Sequence, residues 1–437
     1  MEQLSVPEDT TRLFEHITSL TMLEASFKDV ENNKGAAGID GVSIQAFKTN
    51  IEEELSQLQE ELINWTYKPK AVRRVEIPKA NGGVRLLGVP CVRDRVIQTA
   101  IKRVIEPCLD ATFSNHSYGF RPGRNQRQAV EAAQAIVINE GKEFVVDLDL
   151  SKFFDKVNHD KLMSLLRKQI ADKRILRLIG MILRSGVMVA GEFHPSVAGT
   201  PQGGPLSPLL SNVVLDELDK ELEKRNLSFC RFADDSNIFV SSQKAGERVM
   251  SSISQFIEKK LKLVVNREKS QVAKTCDVKF LGMTIVKGTI AISHKAMAHA
   301  MRKVKELTPR GTHQTLEVSI KLINRWYRGW SSYFSMTQYP GQFSKIEGHI
   351  RRRLRSRLVS QARRPRYLYR QLVRHGASRR TAANAAFSNK RKWALSCTPA
   401  AHRAYSNKWF SDSQGLFIRS SEEQSHWFAV KRWVRLS

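Results

Sequence analysis

The sequence predicts an α+β protein built from several packed units. Its 437 residues exceed one ordinary core, at roughly 100 to 200 residues per domain. Short apolar segments with strand alternation recur between helical periodicities in the first two thirds, whereas beyond residue 295 only long helical patterns remain. Hydrophobic residues at 41% and charged residues at 26% suit a chain that buries a core.

Leu13, Ile17, Leu20, Leu23 and Phe27 share one face, so the spacing predicts an amphipathic helix over 10–31, ended by the Gly-rich stretch Lys34 to Gly41. A second helix is expected over 45–64, then an extended segment over 71–77 and a turn at Ala80-Asn81-Gly82-Gly83. Residues 92–110 and 126–139 carry helical spacing, with the loop Tyr118-Gly119-Phe120-Arg121-Pro122-Gly123-Arg124 between them. Phe144 to Leu150 alternates as a strand, and Asp147 and Asp149, two apart, project from one face of it. Helices follow over 158–170 and 173–185.

Thr200 to Pro208 reads as a loop in which Ser207 is the expected N-cap and Pro208 the first residue of a helix reaching about 224. That helix should bury Leu210, Val213, Val214 and Leu218. Phe229 to Phe232 and Asn237 to Ser241 read as strands joined through Ala233-Asp234-Asp235-Ser236, which puts two carboxylates on or beside a tight turn.

Lys and Arg number 71 against 43 Asp and Glu, a formal +28 that implies a polyanionic partner. Residues 351–437 hold 21 of those cations and three acids, Asp412, Glu422 and Glu423. Charge alone also fits a ribosomal or histone-like binder. Cys91, Cys108, Cys230, Cys276 and Cys397 are odd in number and scattered, against a disulfide framework or a clustered zinc site and in favour of a reducing cytoplasm. The polar start Met1 to Asp9 and the lack of an apolar run of roughly 18 residues predict neither a secretion signal nor a membrane protein.

Three carboxylates from two places, Asp149 and the pair Asp234 and Asp235, suit magnesium, which keeps waters and takes a few carboxylates plus substrate phosphates. An Asp pair in a turn is ordinary by itself, because Asp accepts turn geometry. The order of the surrounding segments changes its meaning.

Phe232-Ala233-Asp234-Asp235 resembles the Tyr-X-Asp-Asp box of reverse transcriptases, with Phe for Tyr. Gly38-Ile39-Asp40-Gly41, Ile77-Pro78-Lys79 through Arg85-Leu86-Leu87-Gly88-Val89-Pro90, Tyr118 to Pro122, Asp149 to Asp155, Thr200 to Pro208 and Phe280-Leu281-Gly282-Met283 resemble further blocks of that family in order. The likeness is specifically to reverse transcriptase/maturases encoded by group II introns, and continues through Trp326 to Phe334.

The resemblance implies a right-hand polymerase: an N-terminal helical extension over 1–35, fingers and palm over 36–293, an α-helical thumb or maturase domain over 294–377 and a basic DNA-binding region over 378–437. It implies two Mg2+ ions at Asp149, Asp234 and Asp235, with Leu150 beside them, whereas Asp147 lies off the motif and is structural. It implies nucleotide contacts at Lys79, Arg85, Ser151, Lys152, Phe153, Phe154, Gln202 and Lys269, one of the two Phe rings barring a sugar 2′-hydroxyl. The primer grip would be Leu281 and Gly282; nucleic-acid contacts would be Arg351, Arg352, Arg353, Arg355, Lys390, Arg391 and Lys392. Trp326 and Trp330 are expected in the thumb core.

The implied substrates are dNTPs, an RNA template and a DNA primer or target, and the implied partner is a group II intron RNA. Oligomeric state stays open. Phe232 lacks the phenol of the usual Tyr, so altered rate or fidelity is expected. Many relatives carry a His-Asn-His endonuclease with cysteine pairs; only Cys397 falls in that region here, so no second-strand nicking is expected. Two rival readings are a splicing-only maturase with an idle polymerase and a domesticated enzyme of DNA repair or phage defence.

Overall fold

The computed structural model describes residues 12–78, 83–189, 192–195, 199–200, 203–309 and 311–419, without the side chain of Arg85. It divides into two compact units, Met1–Val278 and Lys279–Ser437, so the division precedes the expected boundary at 293.

In the first unit, the single helix expected over 10–31 is two helices, Leu13–Thr18 and Leu20–Asn32. Ser19, at ψ 139°, leaves helical space, and its hydroxyl accepts the Met22 N–H to cap the second helix. Leu13, Ile17, Leu23 and Phe27 are buried as the spacing predicts, but Leu20, the first residue past the break, is 39% exposed, because the break turns it off the shared face. Residues 45–64 likewise form Ile44–Thr49 and Ile51–Ile63, broken at Asn50. Helix Val92–Asp110 runs through the core, with Val96, Ile97, Ala100 and Ile101 fully buried, and packs closely on Leu20–Asn32.

Strands β1 (Val72–Pro78) and β2 (Val84–Val89) form the expected antiparallel hairpin, with Ile77 opposite Arg85; residues 79–82 of its turn lie outside the described residues. The third strand, β3, spans Phe144–Leu148. A hairpin absent from the sequence reading, β4 (Val187–Val189) and β5 (Glu192–His194), joins β1 to give the order β2-β1-β4-β5. Strands β6 (Ser228–Phe232), β7 (Asp235–Val240) and β8 (Gln271–Lys274) complete an antiparallel sheet with β3, ordered β6-β7-β3-β8. Helix Gln243–Phe256 packs on this sheet, and helices Gln126–Asn139 and Ser207–Lys224 pack on β6. Ser207 is not the N-cap: Leu206 holds that place, with Ser207 and Pro208 already helical.

The second unit opens with the hairpin β9 (Met283–Val286) and β10 (Thr289–Ile292) and continues as helices. His294–Leu307, Leu316–Tyr333 and Gly341–Gln361 pack through Val304, Ile320, Ile323, Ile346, Ile350 and Leu354. One apolar cluster runs from Ala300 to Leu416 and crosses residue 378 without interruption. Among the described residues, no helix is long and apolar enough to cross a membrane.

Candidate active site

Strands β6 and β7 pair Phe232 with Asp235, so the turn between them is only Ala233 and Asp234. Ala233 sits at φ +57°, a left-handed conformation costly for an L-residue. Asp235 is exposed and Asp234 half-buried. The β3–β7 ladder ends at Leu148 opposite Ser236, so the next register positions on the two strands are Asp149 and Asp235. Asp147 lies one pair further in, opposite Asn237 on β7 and Gln271 on β8.

A buried network pins this turn. Arg231, fully buried on β6, donates from Nε and Nη2 to the Asp219 carboxylate at 2.7 and 2.6 Å. Its Nη1 donates to Asn212 Oδ1 and to the Ala233 carbonyl, both at 2.9 Å. Burial raises the Asp219 carboxyl above its ordinary value, and the Arg231 guanidinium opposes that shift. Asn212 Nδ2 in turn donates to the Gly119 carbonyl at 2.9 Å. A Cβ on Gly119 would lie 2.2 Å from the Ala233 nitrogen, so only glycine lets the 118–124 loop lie against the acidic turn. Sequence reasoning passed over Arg231, Asp219 and Asn212; the available signal was a lone arginine inside an apolar strand, immediately before the motif.

Asp149 is held by its backbone. Its N–H donates to Ser270 Oγ at 3.0 Å and its carbonyl accepts the Asn266 N–H at 2.8 Å. The expected Lys269 lies here: its Nζ is 3.9 Å from Asp149 Oδ2, a loose and partly exposed pair. Leu150 bridges Val265, and the Ser151 N–H donates to the Val264 carbonyl. Lys152 is exposed at φ +49°. Phe153 is buried in the core at 2% exposure, whereas Phe154 is only partly buried and meets it edge-on at 5.3 Å. Of the two rings, Phe154 is the one left near solvent.

A Cβ at Gly203 would fall 2.5 Å from the Gly88 carbonyl oxygen, so Gly203 lies against β2. Lys79, Gln202 and the side chain of Arg85 lie outside the described residues.

In the second unit, Leu281 and Gly282 form a turn at φ +51° and +82°, and the Tyr333 hydroxyl donates to the Leu281 carbonyl at 3.2 Å. Trp330 packs at 5.0 Å from Phe334 and at 5.9 Å from Trp326, both Trp rings resting on the apolar core of this unit. The arginine run needs correction. Arg355 is buried at 4% exposure, its guanidinium on the His402 ring, so it packs the unit instead of facing solvent. Burial pulls it down to about 10. Arg353 donates to Thr308 Oγ1 and carbonyl, both at 2.6 Å, and Arg351 sits 3.8 Å from Glu347. Lys390, Arg391 and Lys392 are exposed.

Among the described residues, no three His, Cys, Asp or Glu side chains converge into a ready metal cage. A partly exposed, uncaged set of carboxylates fits magnesium, which keeps waters and fills its shell from substrate phosphates, better than it fits a structural zinc.

Residues 77–285 match the family described as reverse transcriptase (RNA-dependent DNA polymerase), and residues 297–376 match the group II intron, maturase-specific domain. The chain is 33% identical over 316 residues to protein YkfC of Escherichia coli (strain K12), covering 63% of this chain and 83% of that protein. It is 32% identical over 232 residues to the group II intron-encoded protein LtrA of Lactococcus lactis subsp. cremoris, covering 52% of this chain and 38% of LtrA. To the putative COX1/OXI3 intron 2 protein of Saccharomyces cerevisiae it is 30% identical over 268 residues, covering 60% of this chain and 30% of that protein. The chain thus spans most of YkfC but only about a third of the other two.

Proposed function

This chain belongs to the group II intron-encoded reverse transcriptase and maturase family, and we propose that it copies an RNA template into DNA at Asp149, Asp234 and Asp235. The reverse transcriptase domain implies a polymerase dependent on a divalent metal; our finer reading is two Mg2+ ions. When bound, such a pair lowers the pKa of a primer 3′-hydroxyl and steadies the departing pyrophosphate. The three carboxylates would hold it, with Leu150 beside them. Arg231 fixes the acidic turn through the Ala233 carbonyl, and Ser270 and Asn266 fix the backbone of Asp149. Lys269 offsets part of the acids' mutual repulsion before substrate arrives.

Lys79, Arg85, Ser151, Lys152 and Gln202 would meet the incoming dNTP, where charge-assisted bonds favour a triphosphate. Phe154 is the ring we assign to excluding a 2′-hydroxyl, because Phe153 is committed to the core. Leu281 and Gly282 would steady the primer end. The match over residues 297–376 supports binding of a group II intron RNA to assist its splicing, followed by synthesis primed at a DNA target. The setting we infer is a reducing cytoplasm, suited to the odd number and wide spacing of Cys91, Cys108, Cys230, Cys276 and Cys397.

One observation carries the reading: the β3–β7 register brings Asp149 to the position across from Asp235, beside a two-residue turn that holds Asp234. The test is primer extension on an RNA template with dNTPs and Mg2+. Outer partners of metal sites cost 10–100-fold when lost, so Asp234→Asn, at a direct ligand, should reduce extension more than about a hundredfold. Undiminished extension by that variant would overturn the assignment.

A further inference from the structure

A concave site in the second unit, outside the acidic centre, has a volume of about 890 Å³, within the size range of small-ligand pockets. It lies where helices His294–Leu307 and Gly341–Gln361 meet the short helix Lys392–Leu395. Arg302, Lys305, Arg391 and Lys392 ring it and are all exposed, while Met301 and Trp393 supply apolar lining. Among the described residues no Asp or Glu lines it, and the neighbouring Glu306 is engaged by Lys303 at 2.9 Å. Such a ring of like charge repels itself until a polyanion arrives.

The apolar part narrows the ligand. Arg352 lies over one face of the Trp393 ring at 4.1 Å, and His349 packs edge-on at 6.3 Å, so the indole is held in place. Trp393 lines the cavity and Arg352 does not, so the uncovered part of the ring is what the cavity meets. Inorganic polyphosphate has nothing to lay on an indole, and a duplex keeps its bases stacked inside. A single strand offers both phosphates and an unstacked base.

We propose that this pocket is a subsite for single-stranded nucleic acid, taking one unstacked base against Trp393 with the flanking phosphates on Arg302, Lys305, Arg391 and Lys392. The proposal deepens the nucleic-acid reading above and rests on it. RNA and DNA strands share this chemistry, and the arms of the test separate them.

The experiment measures binding of fluorescein-labelled oligo(U), oligo(dT) of equal length and a blunt RNA duplex to the full chain by anisotropy across a salt series. Trp393→Leu should weaken binding of the single strands roughly tenfold, the scale of one lost base–aromatic stack, and leave the duplex nearly unchanged. A larger loss with oligo(U) assigns the site to RNA; an equal loss with both assigns it to either strand. Arg302→Ala with Lys305→Ala, both at exposed positions, should shallow the log–log salt slope for single strands by roughly 1.4, or 0.7 per phosphate contact. This second variant keeps the test decisive if Trp393→Leu folds poorly. Wild-type single-strand affinity in Trp393→Leu, an equal loss on the duplex, or an unchanged salt slope in the double variant overturns the site. None of these outcomes touches the acidic centre, whose separate test is extension by Asp234→Asn.

Discussion

Arg231 in the first unit and Arg355 in the second are both buried, at 0% and 4% exposure, yet they are satisfied in opposite ways. Arg231 faces Asp219, itself fully buried, across a two-pronged ion pair. Arg355 leans on a histidine ring and on Asn407, and its Nε has no partner among the described residues. Arg357 is similar, donating to Ser319 Oγ. The first unit has acids enough to bury a matched pair and uses one to pin its acidic turn. The second is poor in acids, so its guanidiniums settle on neutral acceptors and its surplus charge remains for a polyanion.

This contrast predicts unequal costs. Arg231→Met strands a buried carboxylate and should cost about 3–5 kcal/mol in urea unfolding, with most of it regained when Asp219→Leu is added. Arg355→Met leaves no opposite charge behind and should cost no more than about 1.5 kcal/mol. Equal losses would erase the distinction. The two motif-bearing turns sharpen it further: the acidic turn is held by a buried side-chain network, whereas the Leu281-Gly282 turn is closed by backbone bonds between Phe280 and Met283 and from Ser293, and the exposed Tyr333 hydroxyl adds one more. Tyr333→Phe should therefore cost only about 0.5 kcal/mol, read as faster amide exchange at the turn without a change in global unfolding.

The smallest effect is on pH. His402 is pushed below the ordinary 6.5, first by burial and then by Arg355 and Arg352. Because its folded value is depressed, the unfolded chain takes the proton first as pH falls. The contribution to stability is therefore full above about pH 6.5 and is lost as pH drops through the folded value. A slight fall in Tm between pH 7.5 and 5.5 should shrink in His402→Gln. Unchanged pH dependence would remove His402 from the account.

Much of this was legible in the sequence because local rules and tertiary packing agree there. Alternation gave β3, the paired acids gave the β6–β7 turn, and the helices Val92–Asp110 and Gln126–Asn139 carry their expected bounds. Where they disagree, the reading failed. Ser19 and Asn50 interrupt helices whose apolar spacing is continuous in the sequence, and Leu20 falls on the exposed side of the first break. The strands Val187–Val189 and Glu192–His194 are too short for alternation to register. Arginines in a run read as surface because charge is visible in a sequence, whereas the apolar stems that let Arg355 and Arg357 be buried are not. Phe153 and Phe154 are the same letter twice, and only packing tells them apart.

Ala233 sits at the tip of the acidic hairpin at φ +57°. An L-residue in the left-handed basin is uncomfortable wherever it sits, and here its carbonyl is gripped by Arg231 while the backbone of Gly119 lies against its nitrogen. Glycine would relax the tension and, by the same freedom, admit many shapes. The methyl group does the reverse: it makes the hairpin tip a mechanical all-or-nothing part, seated with its neighbours or lost along with them.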